Sequence, residues 1–228
     1  MSLLEPRMPE RSIHLVRVIA SLLAGAAGLL GAGCNIVGPA YYFIHGPEKA
    51  KKLYELDPKR TTVVFVDDRS SRVPRRASRV AIGEQAEQTL LKERVVKDMV
   101  SSQSAIQAAG TDREGKPASI AEVGAAVKAD VVIYATVDEF SLTRDGQTYS
   151  PGAVLRVKVV DATGNARLWP ENPAGHVVSV RLSPKTSDLP TSTAARFQAE
   201  DELARQAGQE IAWLFMDHEA PRGIKGPE

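Results

Sequence analysis

Three sets of residues in this chain of 228 could do chemistry. Cys34 is the only cysteine, so neither an internal disulfide nor a cysteine-based metal site can form. It follows Gly31, Ala32 and Gly33, small residues closing an apolar run, where a peptidase pocket could hold the backbone and the thiol could be modified. Asp67 and Asp68 end one apolar, β-branched stretch, and Asp138 and Glu139 end another. Gathered at one sheet edge, these four carboxylates could bind a divalent cation or act as an acid–base pair. They could equally cap loops or pair with nearby arginines. Those arginines, Arg69, Arg72, Arg75, Arg76 and Arg79, form the most biased stretch after Cys34. Such a loop could contact anionic membrane lipids or an acidic partner, and the plain alternative is a solvated loop.

Other chemistries find little support. His14, His45, His176 and His218 lack the paired spacing of a zinc site, and no metal site is expected. No G-x-S-x-G elbow is present. Gly25, Gly28, Gly31 and Gly33 imitate a dinucleotide loop, but no strand precedes them. The formal net charge is only +1 and the loop arginines are not interleaved with aromatics, so nucleic acid is not an expected partner. Trp169-Pro170 falls at a strand end and reads as a core plug or a partner surface. No cofactor is expected beyond a covalent lipid on Cys34.

The amino-terminal segment positions that cysteine. Arg7, Arg11 and Arg17 precede Val18–Leu30, which is uncharged and rich in Leu, Ala and Gly. A basic start, an apolar run and a small-residue exit make an export signal. Ending on cysteine, it resembles the signal of bacterial lipoproteins, with one departure: Gly31 stands where an aliphatic residue is usual. The resemblance implies a diacylglyceryl group, with further acylation such as palmitate, on Cys34 as first residue of the mature chain. Asn35 in place of Asp then favours the outer membrane over the inner. The rival is an uncleaved single span, since no Asp, Glu, Lys or Arg occurs between Val18 and Ile44. The glycines and Pro39 weaken that helix.

The expected organisation is a signal over 1–33, a tether over 34–58, one domain over 59–217 and a flexible tail over 218–228. At 43% hydrophobic and 25% charged residues, the composition is that of a folded domain rather than a disordered tail. Lys52–Leu56 is expected as a short strand and Thr61–Asp67 as a strand apolar on both faces. A helix follows from Ser78 to Arg94, with Ile82, Ala86, Thr89 and Leu90 along one face. Val95–Val100 reads as an edge strand, Ser104–Ala109 as a short helix, and Ser119 with Glu122 as a capping box opening another. Asp130–Phe140 is the second strong strand. Ala153–Val160, Ala166–Trp169 and Gly175–Leu182 form a meander, the last turning Val177 and Val180 inward. A closing helix capped at Thr191 or Ser192 runs to Met216, with Phe197, Leu203, Ala204, Ala207, Ile211, Leu214 and Phe215 on its buried face. The fold class is α/β in the α+β sense: a mixed sheet with helices packed on it.

TVVFVDD, ADVVIYATVDEF and the hairpin LRVKVVDATGNARLW together resemble a widespread envelope-lipoprotein domain. It is found in curli-secretion lipoproteins, in lipoprotein activators of penicillin-binding proteins and in the amino-terminal domain of TolB. CNIVGPAYYFIHGP before TVVFVDD is also similar to uncharacterised lipoproteins of planctomycete-type bacteria. The resemblance spans about Thr61–Met216 and its motifs are structural. It implies a non-enzymatic envelope protein facing the periplasm, anchored by lipid, that binds or helps assemble another envelope component. The alternatives are a signal-anchored protein with the same domain and a metal-dependent hydrolase using the strand-end carboxylates.

Overall fold

A computed structural model describes residues 49–110, 116–183 and 189–219. The export signal, Cys34 and the tether up to residue 48 lie outside the described residues, as do most of the expected loop at 112–117 and the tail from 220. The chain divides into a unit of Ala50–His218, which holds the main sheet and the helices, and a second unit of Met1–Lys49 with Glu219–Glu228. Of the second, only Lys49 and Glu219 are described.

The sheet is built outward from Thr62–Asp67 (β2), in which six successive residues are buried. β-Branched residues apolar on both sides suit a strand covered on both faces. Val64 and Val66 enter one hydrophobic cluster, Val63 and Phe65 a second. β2 runs parallel to the two-residue edge strand Met99–Val100 (β3) and to Val131–Thr143 (β4). β4 pairs antiparallel with Tyr149–Asp161 (β5), whose other edge carries Ala166–Trp169 (β6) and His176–Arg181 (β7). The sheet is therefore mixed.

Arg76–Lys92 (α1) and Thr193–Trp213 (α4) cover one face. Ile82, Ala86 and Leu90 meet Leu203, Ala204, Ala207 and Ile211 in the larger cluster. Gly208 lets the two helices close up, since a Cβ there would stand 2.2 Å from the Ile82 carbonyl oxygen. Ser102–Ala109 (α2) and Ile120–Ala126 (α3) lie on the other face, contributing Ala105, Ile106 and Val123 to the smaller cluster. The capping box at Ser119 and Glu122 is complete. Ser192 caps α4 by accepting the Ala195 N–H.

Five local expectations are corrected. Residues 51–56 form no strand: the Leu53 and Tyr54 N–H groups instead donate to the Leu214 carbonyl. The edge strand shrinks to β3 because Arg94 takes a positive φ of 56° and the Val95 N–H returns to the end of α1. On β7 it is Val178 and Val180 that face inward, and Val177 is 48% exposed. Residues three apart on a strand point to opposite faces. Phe197 is also exposed, at 41%. Finally, His218–Glu219 (β8) pairs with Lys49–Ala50 (β1), so the expected flexible tail from 218 begins with a paired strand.

Candidate functional site

β2 and β4 carry Asp67 and Thr136 side by side, and β5 places Arg156 on the far side of Thr136. This row marks the end of β2. Asp67 is 8% exposed and is not left as a free carboxylate. Its Oδ2 accepts the Tyr134 hydroxyl at 2.8 Å and the Arg69 Nε at 2.7 Å, and Arg69 also donates to the Ala118 carbonyl. Burial and the hydrogen bond to anionic Asp67 push the Tyr134 hydroxyl well above the ordinary tyrosine value.

Asp68 accepts the backbone N–H groups of Arg72 and Val73, at 2.7 and 2.9 Å. That arrangement closes the loop from within. Asp138 pairs with Arg156, Oδ2 to Nε 2.5 Å. Glu139 lies opposite Val154 past a register shift in β4 and is exposed. Among the described residues, no group of three or more His, Cys, Asp or Glu could hold a metal ion. Asp67, Asp68 and Asp138 are occupied in holding the fold's own loops and strands.

The five arginines divide. Arg75 is drawn inward: Nε reaches Glu200 at 2.5 Å, and Nη2 reaches Asp201 and the Phe197 carbonyl. Its guanidinium lies over the Phe197 ring, 4.2 Å from the centroid. Burial works against its charge, but the bonds to Glu200 and Asp201 outweigh that and hold its pKa above the ordinary arginine value. Arg69 is committed to Asp67. Arg72 and Arg76 are exposed and make no ion pair among the described residues. Arg79 is half-buried, and its Nε is enclosed without a hydrogen-bond partner.

Two adjoining cavities meet at Arg79. One of about 190 Å³ is lined by Phe65, Asp67, Asp68, Arg69, Arg79 and Ile106. The other, about 220 Å³, is lined by Asp68, Ser71, Val73, Arg75, Arg76 and Arg79.

Sequence reasoning missed the partners Tyr134, Glu200 and Asp201. A signal for Glu200 was present. It lies on the same stripe as Leu203, Ala204, Ala207 and Ile211, and a carboxylate on a buried stripe demands a cation.

No protein-family model matches the chain, and no curated protein matches it. Solved structures do resemble it. PelC from Paraburkholderia phytofirmans, a dodecamer, is 10% identical, with a TM-score of 0.43 over 74% of this chain and 97% of that one. Lipoprotein GNA1162 from Neisseria meningitidis is 12% identical, with a TM-score of 0.37 over 66% and 99%. The LpoB C-terminal domain from Salmonella enterica is 13% identical, with a TM-score of 0.33 over 57% and 86%. Bacterial lipoproteins are thus among the proteins this chain is similar to. At such identities the likeness says nothing of role.

Proposed function

We propose that this chain is a lipid-anchored, non-enzymatic module of the bacterial envelope that binds another envelope component through the arginine-lined surface at the end of β2. The anchor is a diacylglyceryl group on Cys34, with 1–33 removed as signal and 34–58 serving as tether. The domain then faces the periplasm from the cell membrane or the outer membrane. The signal pattern around Cys34 supports the anchor, and no helix among the described residues is long and apolar enough to cross a membrane.

One contrast carries the binding reading. Asp67, Asp68 and Asp138 are each bonded within the fold, whereas Arg72 and Arg76 stand exposed and make no ion pair among the described residues. A hydrolase needs its carboxylates available to substrate or metal. Here, of the four strand-end carboxylates, Glu139 alone stands exposed with no side-chain bond to the described residues, apart from the other three, and the arginines supply most of the available charge at the end of β2.

Intact mass of the protein from the membrane fraction, wild type beside Cys34→Ser, tests the anchor. A chain beginning at residue 34 with added acyl mass, lost in the variant, is the expected result. A full-length unacylated chain in the membrane establishes a single span instead. A full-length chain in the soluble fraction refutes both.

A further inference from the structure

We propose that the two cavities meeting at Arg79 form a phosphate-binding site, taking a phosphoryl group from either a soluble phosphate or a lipid headgroup. This deepens the reading of the arginine surface as the contact surface, and it does not depend on the lipid anchor.

The donors come first. Arg69, Arg76 and Arg79 line the two cavities at the end of β2, while Arg75, which lines the second, is held by Glu200 and Asp201. Against these three stand Asp67 and Asp68, whose oxygens already accept bonds from Tyr134, Arg69 and two backbone N–H groups. Both lining carboxylates are thus turned to their own partners, and among the described residues Arg76 and Arg79 are the lining arginines that make no ion pair.

Arg79 is the second observation. Its Nε is shut away from solvent with no acceptor, and an enclosed N–H without an acceptor is costly. The residue lines both cavities, so a turn of its side chain toward an oxyanion seated where they adjoin would supply the acceptor that Nε lacks. Arg75, the residue before α1, makes no side-chain cap, and the first turn contains no acidic residue. A carboxylate from α4, Asp201, reaches that turn at Ser78 Oγ (3.4 Å) and is shared with Arg75.

Phosphate fits better than a carboxylate. Its tetrahedral oxygens can engage two guanidinium forks at once, whereas a planar carboxylate fills one. Lysine clusters would attract any anion diffusely, but arginines at a cavity wall favour this geometry.

The test uses the full chain in micelles of a non-ionic, phosphate-free detergent, titrated calorimetrically with inorganic phosphate at constant ionic strength. Saturable binding is expected, weakened about tenfold in Arg76→Gln and about tenfold in Arg79→Lys, which keeps the charge but loses the fork. Arg167→Gln, on β6, should bind as wild type. Arg76 is exposed, so its variant will keep the wild-type melting profile and the loss will not reflect unfolding. Repeating the titration in phosphatidylglycerol-rich nanodiscs separates the sources. A raised apparent Kd shows headgroups competing for the site, and an unchanged Kd marks a soluble phosphate as its ligand. Absence of saturable binding in the micelles overturns the proposal, as does wild-type affinity in both Arg76→Gln and Arg79→Lys. Either result leaves the mass test of the anchor untouched.

Discussion

Arg75 Nε donates to Glu200 Oε2 at 2.5 Å across 125 positions of sequence, joining the residue that opens α1 to the closing helix α4. Glu200 is only 4% exposed, so this arginine is what makes a carboxylate tolerable there. Arg75→Ala leaves that charge buried and unpaired and should cost about 3 kcal/mol in chemical denaturation. Arg75→Lys should recover only part, because an ammonium cannot serve Glu200, Asp201 and the Phe197 carbonyl in one plane. Wild-type stability in Arg75→Ala would show that the pair contributes nothing.

Gly208 tests the contact between α1 and α4. A methyl group there would meet the Ile82 carbonyl at 2.2 Å and Gln85 Cβ at 2.8 Å, so the helices must part. Gly208→Ala should destabilise by about 2 kcal/mol, despite the better helix propensity of alanine. Gly110→Ala is the control. Its φ is −84° and its nearest neighbours stand 3.6 Å away, so melting should change by less than about 0.5 kcal/mol.

The Tyr134 hydroxyl gives a stability change with a definite sign. Burial first, then the bond to Asp67, raise its folded pKa above the unfolded value. Its contribution is therefore complete below about pH 10 and is lost as pH rises beyond that. Tyr134→Phe should cost about 1 kcal/mol at neutral pH through the lost bond to Asp67. The gap between variant and wild type should then narrow in melts taken above about pH 10. A gap constant across that range would mean the hydroxyl is not held as described.

Asp145 works in the opposite direction. N–H groups of Thr148 and Gln147, together with the Thr148 hydroxyl, stabilise its anion and lower its pKa to about 2. Its support of the hairpin between β4 and β5 is present above the ordinary carboxylate pKa and fades as pH falls toward the folded one. Followed by NMR, the Thr148 amide should titrate with a midpoint near 2. In Asp145→Asn that titration should vanish. A midpoint at the ordinary aspartate value would refute the geometry.

Much of the fold was legible because its signals are local. β2 and β4 are runs of β-branched and aromatic residues buried on both faces. Ser119 and Glu122 close a capping box whose four residues are contiguous. Errors arose where a distant group decided the outcome. Residues 51–56 lack a strand because Leu214 takes their N–H groups. Phe197 lies on the right helical stripe yet stays exposed, beneath the Arg75 guanidinium. The arginine loop was visible as composition. Which of its members turns inward was not, since that depends on Glu200 and Asp201 far along the chain.

The fastening of Lys52, Leu53 and Tyr54 to Asp217 and Leu214 has a consequence in time. The Lys52–Asp217 bond spans 165 positions, so the first segment of the domain to be synthesised is among the last to find its partner. Contacts this remote carry a loop-closure penalty until the intervening chain has collapsed. During synthesis the leading end stays unlatched while the sheet assembles behind it. Residue 217 must have left the ribosome before the domain can lock.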